Sequence, residues 1–286
     1  MYPGRAFGRQ ILPSRLFYLQ RSKRQMQLKV QQWLVLVLII GGLCLTGCTP
    51  NQVASSASPD NATAETTPVP AIQTSNVQMN NLPTLEGKAT VVMTVKGEPI
   101  TIEVDGTNAP LTAGNFVDLV QRGVYDGLVF HRVIGPQSRP PEQPFVVQGG
   151  DPQGKNPNFP PQRLGNGSFV DPKTGVERQI PLEIKPQGAA DPIYSRTLKS
   201  AGIRKPPALQ HLRGAVAMAR SQQPDSASSQ FYFALADLSF LDGDYAVFGK
   251  VTDGMDVVDK IQQGDRIDSA KVTEGIDKLK NRGEKQ

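Results

Sequence analysis

Apolar and polar positions alternate in short bursts along residues 85–275, and that pattern sets the first expectations. Ala89 to Val95 is rich in β-branched residues, and Ile100, Ile102 and Val104 alternate with Thr101, Glu103 and Asp105. A period of two marks a strand with one buried face. Lys96-Gly97-Glu98-Pro99 between the runs reads as a turn, so a hairpin is predicted. Asn108-Ala109-Pro110 then offers a capping side chain and a proline suited to a first helical turn. Ala113, Phe116, Val117 and Val120 follow at helical spacing, with Gly123 as the stop. Further strands are predicted over 128–134, 145–148, 214–219, 230–236 and 246–251, and a second helix over 255–261. Many short strands with few helices argue for an antiparallel barrel or sandwich and against a doubly wound sheet. Long Pro- and Gly-rich stretches between Gly149 and Leu212 read as functional or peripheral loops.

Upstream the pattern changes. Residues 33–47 form an uncharged apolar run of 15 residues, short of the roughly 20 that span a bilayer comfortably. Seven basic and no acidic residues precede it, so residues 1–47 read as a signal segment. Leu45-Thr46-Gly47-Cys48 resembles the bacterial lipobox, which makes Cys48 the expected site of lipidation and the first mature residue. An uncleaved anchor with a chance cysteine is the alternative, and Met26 is a candidate start that would give a signal of ordinary length. Residues 48–84 are rich in Ser, Thr, Ala, Asn and Pro and nearly uncharged. They cannot bury enough apolar surface to offset chain entropy and read as a disordered tether. The folded domain is placed at 85–275 and a charged tail at 276–286.

Composition removes several functions. The net charge of +5 would suggest an anionic partner, but without the signal segment residues 48–286 hold 24 basic against 26 acidic side chains. No nucleic-acid partner is expected. Cys44 and Cys48 are the only cysteines, so the domain offers neither an internal disulfide nor a Cys-ligated metal. His131 and His211 lie 80 residues apart with no acidic ligand pattern around them. No metal and no cofactor are expected, and an oxidoreductase or metal-dependent hydrolase lacks the clusters it would need.

Four segments carry the chemistry. They are Phe130-His131-Arg132-Val133-Ile134, then Phe145-Val146-Val147-Gln148-Gly149-Gly150-Asp151, then Gly214 to Arg220 leading into Ser226 to Phe233, then Phe240 to Lys250. In this order and spacing they resemble the cyclophilin family of prolyl isomerases. The resemblance implies a mainly β fold, a closed eight-stranded antiparallel barrel capped by two α-helices. It also implies an activity: rotation about Xaa-Pro bonds in proline-containing polypeptides, without a cofactor and by a monomer. On this resemblance Arg132 is the catalytic donor, with Phe145 and Gln148 as its catalytic partners. Val146, Tyr232 and Leu241 join Phe145 around the proline ring, and Phe240 and Tyr245 line the rim. Ala219 and Arg220 line the adjacent peptide groove, Gln230 supports Arg132 from behind, and His131 is structural.

This sequence departs from the family at several points. Phe240 and Tyr245 stand where many eukaryotic members carry Trp and His, and Arg220 replaces a groove asparagine. Residues 135–144 add about eight residues beside the site. Residues 181–207 resemble the enlarged loop of cyanobacterial and plastid thylakoid-lumen cyclophilins. The leading expectation is therefore a folding catalyst for exported proteins, tethered to a membrane by lipid at its extracytoplasmic face. The alternative is a tethered module that binds proline-containing chains without turning them over.

Overall fold

The computed structural model describes residues 81–135 and 146–281. The predicted signal segment, Cys48, the tether up to residue 80, Phe145 and residues 282–286 lie outside the described residues.

Twelve strands and two α-helices are described. In chain order they are β1 (Thr84–Leu85), β2 (Lys88–Val95), β3 (Glu98–Asp105), α1 (Pro110–Gln121), β4 (Arg132–Ile134), β5 (Val146–Gly149), β6 (Glu183–Ile184), β7 (Ile193–Tyr194), β8 (Ala215–Met218), β9 (Phe231–Ala234), β10 (Val247–Asp253), α2 (Met255–Lys260), β11 (Ile267–Glu274) and β12 (Leu279–Lys280). Eight of the strands form one antiparallel sheet in the order β11-β2-β3-β10-β8-β9-β5-β4. The mainly β character and both helices agree with expectation.

The expected closure of the barrel is not seen as a ladder. The sheet is an open half-barrel, because the run expected as one strand over 128–134 pairs regularly only from Arg132 onward. Residues 127–130 instead meet the start of β11 through a single bridge, Val129 with Arg266. Bonds from Phe130 N to Asp265 O and from Ile267 N to Leu128 O, each 2.8 Å, flank that bridge.

The hairpin β2–β3 folds as its alternation predicts. Ala89, Val91, Met93 and Val95, with Ile100, Ile102 and Val104 opposite, are all 3% exposed or less. β11 escaped the sequence reading for a physical reason. Its pairing with β2 shifts register twice, between Ile267 and Ser269 and between Val272 and Glu274, and each bulge breaks the period of two. Residues 276–281, expected as tail, include β12, which pairs with β1 and buries Leu279.

Helix α1 occupies its predicted place but is capped differently. Asn108 does not cap it; its side-chain amide donates to Asp105 Oδ2 at 2.9 Å. The free N–H groups of the first turn are instead satisfied by Glu183 on β6, whose oxygens accept from Leu111 N at 3.1 Å and Thr112 N at 2.7 Å. A carboxylate is favoured there because unpaired amides and the helix dipole both present positive charge. Tyr194 on β7 donates its hydroxyl to the same carboxylate at 3.0 Å. Burial pushes the Glu183 carboxyl above the usual range, against the bonds from Thr112, Leu111 and Tyr194 that pull it down.

The polar face of α1 is also covered. Thr112, Asn115 and Asp118 are fully buried. Asp118 Oδ2 takes Arg178 Nη1 at 2.6 Å and Arg122 Nε at 3.0 Å. Both guanidinium groups lie over the Phe169 ring, at 5.0 Å for Arg178 and 5.6 Å for Arg122. The long segment between β5 and β8 is thus bonded to the helix and built into the domain.

Replacing Glu183 by Ala strips two helix amides and the Tyr194 hydroxyl of their acceptor. It is expected to lower the unfolding free energy by about 3 kcal/mol, read as a reduced urea midpoint. A midpoint unchanged from wild type would show that the carboxylate does not hold this loop.

Candidate active site

Antiparallel register places four side chains in one row. Arg132 on β4 lies opposite Gln148 on β5, Gln148 opposite Tyr232 on β9, and Tyr232 opposite Ala217 on β8. Residues directly opposite share a face of the sheet. The next row, Val133, Val147, Phe233 and Val216, faces the other way into the main core. On that inner side Phe231 and Phe233 pack edge-on with centroids 5.5 Å apart, and Phe116 on α1 packs on Phe231 at 5.5 Å. Burying the aromatic pair inward obliges Tyr232 to point outward.

A directed chain of hydrogen bonds runs along the polar end of the row. Arg132 Nη1 donates to Gln148 Oε1 at 3.2 Å, and Gln148 Nε2 donates to Gln230 Oε1 at 3.1 Å. Gln230 Nε2 then donates to the carbonyl of Gly167 at 2.8 Å. Both amide orientations follow from the ends of this chain, since a guanidinium can only donate and a carbonyl can only accept. Gln230 is linked to Arg132 through Gln148, because the register puts Gln148 next to the arginine.

The other end of the row is apolar. Val146, Ala217, Tyr232, Ala234, Leu238 and Val247 form a second buried cluster, against which Ala219 and Leu241 pack. Phe240 is 55% exposed on the turn that carries Leu241. Tyr245 meets Tyr232 edge-on at 6.2 Å. Arg220 is not free to reach along a groove. Its guanidinium sits 4.6 Å over the Tyr245 ring and donates to the Asp244 carbonyl at 3.0 Å from Nε and 2.7 Å from Nη2. A cavity of about 370 Å³ opens beside the row, lined by Gln148, Gln230, Ala219, Arg220, Glu177 and Gln179 among others.

Two supporting groups were missed in the sequence. Asp151, in the Gly149-Gly150-Asp151 turn, is fully buried and accepts from Gln153 N at 2.9 Å, Gly165 N at 2.6 Å and Gly167 N at 3.0 Å. It thereby fixes the carbonyl that ends the glutamine chain. Gly150 has φ +90°, and a Cβ there would sit 2.5 Å from the Ser229 carbonyl, so only glycine fits. The second group is His211, 1% exposed, whose ring joins Asp242 to the Tyr232 hydroxyl. A lone histidine without metal partners gave no signal in the sequence. The His131 ring nitrogens are buried and have no hydrogen-bond partner among the described residues, and burial lowers its pKa.

An antiparallel half-barrel with two helices carries on its outer face a positioned arginine, a polar cavity and an apolar cluster. A family model described as cyclophilin type peptidyl-prolyl cis-trans isomerase/CLD matches residues 90–281. The chain belongs to the cyclophilin-type peptidyl-prolyl cis-trans isomerase family. It is 44% identical over 211 residues to a putative thylakoid lumen peptidyl-prolyl cis-trans isomerase of Synechocystis, covering 70% of this chain and 51% of that one. It is 38% identical over 222 residues to a chloroplastic peptidyl-prolyl cis-trans isomerase of Arabidopsis thaliana, covering 71% and 46%. The match to peptidyl-prolyl cis-trans isomerase A of Dickeya dadantii is 35% over 178 residues, covering 60% and 70%. The chain thus spans about half the length of the first two relatives.

Asp151→Ala is expected to lower stability by about 2 to 3 kcal/mol, because three backbone donors lose their buried acceptor. Amide exchange at Gly165 and Gly167 should rise more than elsewhere, and uniform exchange across the domain would count against this anchoring role.

Proposed function

We propose that this domain accelerates cis/trans rotation about Xaa-Pro bonds, with Arg132 as the catalytic donor. One observation carries the reading: a donor-only side chain, oriented by Gln148, shares a row with Tyr232 and lies on the same sheet face as the apolar cluster of Val146 and Tyr232, against which Leu241 packs. The reaction faces a barrier of about 18 to 20 kcal/mol, because the nitrogen lone pair is delocalised into the carbonyl. As the bond twists, the lone pair localises on the prolyl nitrogen and becomes an acceptor. A guanidinium aimed at it bonds more strongly in the twisted state than in the planar one, which is the condition for raising the rate. No covalent bond is made or broken, so orientation, a donor and exclusion of water suffice.

Each expected site residue has a part in this proposal. Tyr232, Val146 and Leu241 receive the proline ring and keep water from the guanidinium, which strengthens its bond, and Phe145 is assigned to the same task from the sequence alone. Phe240 and Tyr245 form the rim. Gln148 holds Arg132 and binds the substrate backbone by exchanging a partner when the peptide arrives, while Gln230 holds Gln148. Ala219 and Arg220 border the cavity along which the peptide extends, with Arg220 acting through the Tyr245 wall it braces.

The client class is proline-containing segments of exported proteins, handled by a monomer at the extracytoplasmic face of a membrane through a lipid on Cys48. Support comes from the basic and apolar N-terminal sequence and from relatives named for the thylakoid lumen and the chloroplast.

The test is a protease-coupled assay on an Ala-Pro peptide. Wild type should accelerate isomerisation, and Arg132→Ala should lose about 100-fold or more in kcat/KM, as expected for removing one transition-state donor. No acceleration by wild type would reject catalysis and leave the binding module. Separately, Cys48→Ala should move the protein from the membrane fraction to the soluble fraction, and continued membrane association would reject the lipid anchor.

A further inference from the structure

The recess that receives proline in the proposed reaction has an ionisable group behind it. His211 is 1% exposed and makes four bonds in two directions. Its backbone N and its ring Nδ1 both lie 2.8 Å from Asp242 Oδ1, and its carbonyl accepts from Leu238 N at 2.7 Å. Its Nε2 lies 2.9 Å from the Tyr232 hydroxyl, with the two rings near parallel at 13°. Leu238 and Asp242 bracket the turn that carries Phe240 and Leu241, and Asp242 bridges on to Tyr245. One imidazole therefore ties the turn that bears Leu241 to the strand that bears Tyr232.

The direction of these bonds is determined. A carboxylate can only accept, so Nδ1 carries the hydrogen, and Nε2 is then the acceptor for the Tyr232 hydroxyl. Burial raises the Tyr232 phenol above its ordinary pKa, so it remains a donor. The titratable groups that meet the ring are Asp242 at Nδ1 and Tyr232 at Nε2, with Tyr245 and Arg220 beyond Tyr232.

We infer that His211 is a positioning residue of this site, which in its neutral Nδ1–H form orients Tyr232 and the 238–245 turn, so that the recess keeps its shape only while the imidazole is uncharged. The inference rests on the isomerase reading above. Protonation puts a hydrogen on Nε2, which then donates to the phenol oxygen. The hydroxyl hydrogen must then turn away from the ring, in a side chain that is 5% exposed and packed in an apolar cluster, at the cost of the bond it made to Nε2. Burial lowers the His211 pKa from 6.5 against the opposing pull of Asp242. The sign follows: the neutral form is complete above the ordinary histidine value and is lost as pH falls through the lowered one.

The experiment follows His211 by imidazole nitrogen NMR from about pH 4 to about pH 8, on a chain beginning at Cys48→Ala, and measures kcat/KM over the same range. Three proteins are compared: this chain, Tyr232→Phe and His211→Asn. The parent should show Nδ1–H at neutral pH and lose several-fold in kcat/KM as His211 protonates. Tyr232→Phe, with no hydroxyl to reorient, should lack that acid step. His211→Asn can still donate to Asp242 but offers Tyr232 no acceptor, and should lose about tenfold at neutral pH through KM. A parent profile flat across the NMR titration, an acid step unchanged in Tyr232→Phe, or a His211→Asn enzyme equal to the parent overturns the inference. If the parent accelerates nothing at any pH, the isomerase reading fails, and affinity for the Ala-Pro peptide becomes the readout. Affinity that falls with His211 protonation upholds the positioning role, and unchanged affinity removes it.

Discussion

Everything at the site depends on the inward burial of Phe231 and Phe233. A strand cannot turn one side chain without turning all of them, and these two rings pack against Phe116 and the main core on one side of β9. Tyr232 is thereby forced outward. Once β9 is pinned, antiparallel pairing carries the same choice across β5 and β4, so that Gln148 and Arg132 face outward with Tyr232. A one-residue slip would bury the arginine and expose two phenylalanines, a cost large enough to hold the register.

The position of Arg132 is therefore paid for by the core, while its orientation is polar. The chain from Arg132 through Gln148 and Gln230 to Gly167 has a donor at one end and a carbonyl at the other, so neither glutamine can flip without breaking two bonds. Asp151 anchors the far end. A largely exposed guanidinium would otherwise sample many rotamers; its bond to Gln148 restricts them.

Part of the long segment between β5 and β8 serves to cover α1. Glu183, Arg178 and Phe169 lie against the polar face of α1, which would otherwise be exposed. The helix packs in turn on the aromatic core behind β9. The enlarged loop is thus coupled to the site through packing, and Ser228 extends the link by donating to the Arg178 carbonyl and accepting from Phe169 N.

Local pattern by itself determined the hairpin β2–β3, helix α1, and the short strands that carry Arg132, Gln148 and Tyr232, because alternation and helical spacing record which face is buried. The four segments in order also carried the family. Tertiary structure decided what depends on partners distant in sequence. The acceptor for the first turn of α1 is Glu183, more than 70 residues away, where the sequence pointed to the neighbouring Asn108. β11 is hidden by two bulges, and the barrel edge is bridged without a ladder. Gln230 acts through Gln148, and Arg220 is held by the Asp244 carbonyl and the Tyr245 ring. His211 is the clearest case: a single histidine has no periodicity, and its meaning arises only where folding brings Asp242 to one nitrogen and Tyr232 to the other.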